Sequence, residues 1–174
     1  MFKKHILKIF LAIITVLALI TSLHAGQKAH LTGKVMQVKD GDTVVIAQEE
    51  GGAFFTCRLY GIDAPEVKHK GKPAQAFGEE AKRELKKLLL GQTVEVELTG
   101  AQTYHREVCI IYKDGLNVNL EMVKRGYAWA YRKYLNRPHA SEYIEAEKEA
   151  RRAGMGLWQH SNPIPPWEWR KLTK

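Results

Sequence analysis

Short β-branched segments separated by tight-turn residues limit the possible folds of this chain more than any other feature. Residues 34–38 lead into an Asp-Gly-Asp turn at residues 40–42, and residues 43–46 follow, so the Asp-Gly pair predicts a hairpin. Two glycines at residues 51–52 mark a second turn before a third strand at residues 54–60. The first half of the chain is therefore expected to form antiparallel strands.

The apolar period changes after a loop at residues 61–73, which carries two glycines and two prolines and is predicted to lack regular structure. A helix is predicted from Ala74 to its end at Gly91. The apolar residues that share its face are Phe77, Ala81, Leu85, Leu88 and Leu89. Strand-like segments then return at residues 93–98 and 108–112.

Two more helices are predicted in the last third of the chain. One spans about residues 117–125 and ends at Gly126, and the other contains Tyr143 and ends at Gly154. Five strands with a helix between the third and fourth predict an α+β, mainly β fold. The expected architecture is a five-stranded Greek-key OB-fold barrel with three α-helices.

The N-terminus has the order of a secretory signal peptide. Three lysines precede an apolar run at residues 9–20, and small or neutral residues lead to Gly26. The run is shorter than the ~20 residues that a spanning helix usually needs. We expect residues 1–25 to direct export to the periplasm, envelope or medium. An uncleaved anchor, with membrane contact, remains the alternative.

The remaining 149 residues fit one domain at residues 26–162, followed by a Pro/Trp-rich tail at residues 163–174. The tail is expected to pack on the barrel, because exposed Trp167 and Trp169 would form an unusual surface. Removal of residues 1–25 takes away three lysines and no acidic residue, which lowers the net charge from +8 to +5. This excess suits nucleic acid or an anionic membrane, but ordinary solubility would also explain it.

Only two cysteines are present, Cys57 and Cys109, and both lie in apolar, strand-like runs. Export would permit a disulfide, but a pair of buried thiols is the favoured interpretation. Two cysteines without a paired histidine cannot form a structural zinc site.

A rigid loop at residues 61–66 combines two carboxylates with a proline. Pro65 holds Ala64 in an extended conformation, so the Ala64 carbonyl is free to act as a ligand. Together with Asp42 and Asp63 it would offer the hard oxygens that Ca²⁺ and Mg²⁺ take. Glu66, three residues after Asp63, is placed to act as a general base toward water.

Arg58 and Arg106 complete the predicted chemistry, because guanidinium groups match phosphate oxygens in a bidentate way that lysine does not. Taken singly, each of these features has an ordinary explanation, as a turn, a helix start or a cation at a strand edge. The combination in this order is what points to phosphodiester hydrolysis.

The chain resembles the staphylococcal nuclease (thermonuclease) family over about residues 30–160. The motifs that carry the resemblance are Asp40-Gly41-Asp42-Thr43-Val44, Arg58-Leu59, Gly61-Ile62-Asp63-Ala64-Pro65-Glu66, Tyr104-His105-Arg106, residues 119–126 and Gly156-Leu157-Trp158. The resemblance implies an OB-fold and Ca²⁺-dependent cleavage of DNA and RNA, with little sequence specificity, towards 3′-phosphate products.

The resemblance also implies residue roles. Catalysis falls to Arg58, Glu66 and Arg106, and metal binding to Asp42, Asp63 and the Ala64 carbonyl. Tyr104 and Tyr131 match positions near the nucleotide, although packing at the barrel rim would explain them equally well. No protein partner is implied, and a monomer is expected.

Several positions depart from the family pattern. Gln102 and Thr103 replace an acidic and a basic residue, His105 stands in place of glycine, and Ala64 replaces threonine. A non-catalytic OB-fold protein that binds nucleic acid is the rival hypothesis, and an envelope interaction protein is the third. The complete set of arginines and carboxylates favours the nuclease, because binding alone needs no paired carboxylates beside phosphate.

Overall fold

The computed structural model describes residues 30–69 and 71–173. The predicted signal peptide and the start of the domain at residue 26 therefore lie outside the described residues. Within the described ranges, no helix is long and apolar enough to cross a bilayer.

Five strands close into a barrel. They are β1 (His30–Val38), β2 (Thr43–Gln48), β3 (Phe54–Leu59), β5 (Thr93–Thr103) and β6 (Arg106–Lys113). Antiparallel neighbours run in the order β3-β2-β1-β5-β6, and a parallel pairing of β3 with β6 joins the two edges. The predicted OB-fold barrel, in a mixed α+β and mainly β fold, is confirmed.

Three two-residue strands extend this arrangement: β4 (Ile62–Asp63), β7 (Leu116–Asn117) and β8 (Trp129–Ala130). β4 pairs antiparallel with β8, which places Asp63 opposite Trp129. The prediction that residues 61–73 lack regular structure was therefore wrong at Ile62–Asp63. Breakers mark the ends of this loop, but they do not exclude a short bridge formed by a partner about 67 residues away in the chain.

Four α-helices accompany the barrel: α1 (Gly78–Leu89), α2 (Val118–Lys124), α3 (Ala140–Arg152) and α4 (Pro166–Leu172). The first three are the predicted helices with slightly shorter bounds. Asn117 caps α2 by accepting a hydrogen bond from the Leu120 N–H, and Gly126 follows that helix with φ of 71°. The fourth helix lies in the tail, where sequence reasoning expected packing but no helix.

Cys57 of β3 and Cys109 of β6 are both fully buried and are joined by a disulfide, with their Cα atoms 6.0 Å apart. The favoured interpretation of two free thiols was therefore wrong. Each cysteine does lie in an apolar strand, as expected, but the parallel β3–β6 closure brings the two strands side by side. That long-range pairing was invisible in the local sequence.

Candidate active site at the barrel rim

The two candidate metal-binding aspartates lie side by side. Asp42 follows the β1–β2 turn and is almost buried, and Asp63 ends β4 and is fully buried. The Ala64 N–H donates to Asp42 Oδ2 at 2.9 Å, which fixes the backbone of the predicted carbonyl ligand next to this carboxylate. The loop at residues 61–66 and the β1–β2 turn therefore meet at one point.

Arg58 bridges the two aspartates from the end of β3. Its Nη1 forms an ion pair with Asp42 Oδ1, and its Nη2 donates to Asp63 Oδ1 at 2.9 Å. Burial lowers the pKa of Arg58 in spite of the opposing charges of Asp63 and Asp40.

Asp40 belongs to the same cluster, although the sequence did not assign it a site role. Its Oδ1 accepts the Asp42 N–H at 3.0 Å, so it fixes the turn that presents Asp42. Burial raises the pKa of Asp40. The positive charges of Arg58 and, more weakly, of Arg106 act to lower this pKa, but burial outweighs them. The Asp-Gly-Asp motif includes Asp40, but the sequence alone did not show that Asp40 fixes the turn while Asp42 faces the site.

Glu66 is held by its backbone and presents its side chain toward the rim. Its N–H donates to Gln75 Oε1 at 3.2 Å, and its carbonyl accepts the Gln75 N–H at 2.8 Å. Gly78 packs so closely that a Cβ there would overlap the Glu66 carbonyl. About a third of the Glu66 side chain is exposed, so its carboxylate can still meet a solute.

Arg106 begins β6 and approaches the aspartates through Thr43. Its Nη1 donates to Thr43 Oγ1 at 3.4 Å, and Thr43 Oγ1 in turn donates to Asp42 Oδ1 at 3.0 Å. Because β3 pairs with β6, Arg106 lies on the strand next to that of Arg58. Arg58 and Arg106 therefore both approach this pair of aspartates.

The β5–β6 turn has non-glycine residues at two positions where the backbone conformation favours glycine. Tyr104 and His105 have φ of 47° and 62°, the left-handed values of a two-residue hairpin turn, yet neither is glycine. Thr103 still pairs with Arg106 across the turn, so the backbone at Arg106 keeps its hairpin register. Tyr104 is 91% exposed, so its ring projects into solvent.

Tyr131 follows β8 and lies close to the loop at residues 61–66, since its N–H donates to the Gly61 carbonyl at 2.8 Å. Its ring stacks on Trp167 of α4, with centroids 5.1 Å apart and an interplanar angle of 2°. The Tyr134 ring packs edge-on against the Tyr131 ring, with centroids 4.9 Å apart. One face of this predicted nucleotide-contacting ring is therefore covered by the tail.

Arg170 of α4 is a second site residue that sequence reasoning missed. Its Nη2 donates to Asp63 Oδ2 at 2.7 Å, and its Nη1 donates to Glu66 Oε1 at 2.6 Å and to Asp63 Oδ1 at 3.1 Å. Burial acts to lower the pKa of Arg170, but Asp63 and then Glu66 more than offset it, so the pKa is raised. Nothing in the sequence linked this arginine with carboxylates more than 100 residues earlier.

The donor chemistry of the rim fits a hard divalent cation. Two nearly buried carboxylates and an adjacent backbone offer oxygen atoms alone, the ligands that Ca²⁺ and Mg²⁺ take. Across residues 30–69 and 71–173, no group of three or more histidine, cysteine, aspartate or glutamate side chains has the arrangement of a metal site. Any cation at Asp42 and Asp63 would therefore have to complete its coordination with backbone, water or substrate oxygens.

The closed barrel and its rim of paired carboxylates and arginines define an OB-fold protein with a site suited to phosphate esters. The sequence profile described as Staphylococcal nuclease homologue matches residues 56–160. This chain therefore belongs to the staphylococcal nuclease family.

Individual relatives agree with the profile. The chain is 36% identical to an uncharacterized endonuclease of Haemophilus influenzae over 160 residues, which cover 92% of this chain and 84% of the relative. It is 34% identical to the micrococcal nuclease of Shigella flexneri over 180 residues, which cover 98% and 97%. A probable staphylococcal-like nuclease of Oryza sativa is 40% identical over 117 residues, which cover 67% of this chain but only 33% of that protein.

Proposed function

We propose that this protein is an exported, metal-dependent nuclease that hydrolyses phosphodiester bonds of DNA and RNA with little sequence specificity. The observation that carries the proposal is the convergence of Arg58, Arg106 and Glu66 on the Asp42–Asp63 pair. The relatives with nuclease names support the reaction class.

The chain's own residues account for binding and proton transfer. Arg58 and Arg106 approach from adjacent strands, so their guanidiniums can take two non-bridging oxygens of one phosphate. Glu66 is exposed enough to accept a proton from the attacking water, and loop contacts with Gln75 hold its backbone in place.

Ca²⁺ is the proposed cofactor, with Mg²⁺ less favoured, and Asp42, Asp63 and the Ala64 carbonyl are the residues that would hold it. When bound there, the ion would supply positive charge beside the phosphate. Asp40 would position Asp42 through the bond to its backbone N–H.

Tyr104 and Tyr131 are the proposed contacts to the nucleotide. An exposed Tyr104 ring can stack on any base, which agrees with weak sequence preference. The tail must uncover the stacked face of Tyr131 before that ring can do the same.

The proposal is tested by incubating the mature protein with end-labelled DNA and RNA, with Ca²⁺ and with EDTA. We expect chelation to stop digestion and mass analysis to find 3′-phosphate ends. Digestion that persists in EDTA would exclude the metal, whereas binding without any cleavage would favour the rival OB-fold binding protein. Sequencing of the N-terminus of exported protein tests the signal peptide, and an intact Met1 in the membrane fraction would indicate an anchor.

Glu66→Gln tests the general base and keeps the side-chain size. Because loss of one aimed catalytic group typically costs ~10²–10⁴ in rate, we expect at least a hundredfold slower cleavage with DNA binding retained. Glu142→Gln on the exposed side of α3 makes the same change outside the site and should leave the rate unchanged. Equal rates for both variants would remove Glu66 from the mechanism.

A further inference from the structure

Helix α4 lies on the site through two side chains that are one helical turn apart. Both Nη atoms of Arg170 donate hydrogen bonds to Asp63, and Nη1 also donates to Glu66. Trp167 lies flat against Tyr131 at 5.1 Å. A single seven-residue helix therefore contacts both the carboxylates and the ring that the proposed function needs.

The acceptor capacity of Asp63 is nearly used up. Its Oδ1 accepts hydrogen bonds from Arg58 and Arg170, and its Oδ2 accepts a further bond from Arg170. A carboxylate offers about four lone-pair sites, so three of them are committed to guanidinium groups. A cation that approaches this carboxylate meets two positive charges and one remaining site.

The charges of the cluster lead to the same conclusion. Asp40, Asp42, Asp63 and Glu66 carry four formal negative charges, and Arg58, Arg106 and Arg170 carry three formal positive ones. With Arg170 in place, the net formal charge of these groups is −1, and without Arg170 it is −2. The net charge of the cluster therefore balances that of a divalent cation only when Arg170 has moved away.

We propose that helix α4 is a built-in competitor of the active site, with Arg170 in the place of the cation and Trp167 in the place of a stacked base. This inference rests on the proposed function and adds a control of cation affinity to it. In the closed arrangement Arg170 neutralises Asp63 and Glu66. Binding of a divalent cation displaces the guanidinium and thereby uncovers Tyr131.

The connection of α4 to the barrel suits such a movement. The tail is anchored just before the helix, where Gln75 Nε2 donates to the Ile164 carbonyl at 2.6 Å. Pro165 separates this anchor from the helix, Pro166 is the first helical residue, and the two prolines stiffen the joint. The Arg170 side chain is 40% exposed, so its guanidinium can move into solvent without breaking the anchor.

Arg170→Gln removes the guanidinium and leaves a shorter, neutral polar side chain. We expect its Ca²⁺ affinity, measured by isothermal titration calorimetry on the full mature chain, to be about tenfold higher than that of the wild type, which corresponds to about 1.4 kcal/mol. Lys171→Gln is the matched control, because it removes the same charge from the next position, where the lysine pairs with Glu168 of its own helix. Its affinity should stay within about twofold of the wild type, since an exposed charge acts weakly.

Hydrogen exchange supplies a second measurement that does not depend on activity. In the wild type, Ca²⁺ should speed the exchange of amides in residues 166–172, while the amides of β1 and β2 should stay protected. In Arg170→Gln these amides should already exchange quickly without Ca²⁺. Slower exchange of residues 166–172 on Ca²⁺ addition would overturn the proposal, because it would mean that the helix closes over the bound cation.

The calorimetric outcomes separate this inference from the proposed function. Tighter binding by Arg170→Gln alone supports competition by the guanidinium. Equal affinity of Arg170→Gln and the wild type overturns the competition and leaves the metal-dependent nuclease in place. No binding by any variant up to millimolar Ca²⁺ overturns the metal site itself, and this inference with it.

Discussion

The disulfide between Cys57 and Cys109 makes a quantitative prediction about stability. It closes a loop with a sequence separation of 52 residues and ties β3 to β6, the strand pair that completes the barrel. In the loop-entropy description, a cross-link of this length removes about 14 cal/mol/K from the unfolded chain, or about 4 kcal/mol at 25 °C. Reduction should therefore remove a large part of the stability of a single domain.

The assay is denaturation by guanidinium chloride of oxidatively folded protein, with and without reductant. We expect the free energy of unfolding to fall by about 2–4 kcal/mol and the thermal midpoint by about 5–15 °C. The Cys57→Ala/Cys109→Ala variant is the control and should not respond to reductant. If thiol titration of the unreduced, denatured protein finds two free thiols per chain, the pairing and the reasoning built on it are refuted.

Two further predictions concern a buried charge and a strained turn. Burial acts to raise the pKa of Glu84, but hydrogen bonds from Arg125 and Lys87 outweigh burial and lower that pKa. The charged carboxylate therefore stabilises the fold fully above its unfolded pKa of about 4.3. This stabilisation is lost as the pH falls through the lower pKa of the folded state. Glu84→Gln should therefore lose about 1–2 kcal/mol at pH 7 in urea denaturation and progressively less below pH 4, and a loss that is constant with pH would contradict this. His105→Gly should raise the free energy of unfolding in urea denaturation by about 0.5–1 kcal/mol, because glycine adopts a φ of 62° without the left-handed penalty but adds backbone entropy to the unfolded chain. A lower free energy of unfolding would show that the histidine makes a stabilising contact.

The parts of the fold that local chemistry determines were predictable from the sequence. The Asp-Gly-Asp turn, the capped α2 helix and the apolar face of α1 each depend on residues that are close together in the chain. The bridge between Ile62–Asp63 and Trp129–Ala130 could not be predicted in this way. Its pairing depends on how the finished barrel brings two loops together, and no periodicity within a two-residue strand records that.

The site divides in the same manner. Asp42, Arg58, Asp63, Glu66 and Arg106 stand in short motifs, so the residue types and their spacing were enough to group them. Arg170 stands in a tail whose sequence consists mainly of prolines, tryptophans and charged residues. The preference for free thiols failed for a related reason, since it weighed the surroundings of each cysteine and could not include the closure of β3 on β6.

The three guanidiniums of the site differ in what holds them, and this difference decides which one can give way to a cation. Arg58 and Arg106 lie on β3 and β6, where the ladder and the disulfide fix the backbone, so only their side chains can adjust. Arg170 lies on a seven-residue helix, shorter than the ~12–15 residues at which an isolated helix becomes even marginally stable. That helix is supported in part by its contacts with Asp63, Glu66 and Tyr131, so a ligand that takes over these contacts weakens the attachment of the helix to the barrel. Closing and opening are thus coupled to occupancy of the carboxylates, and the barrel itself need not change.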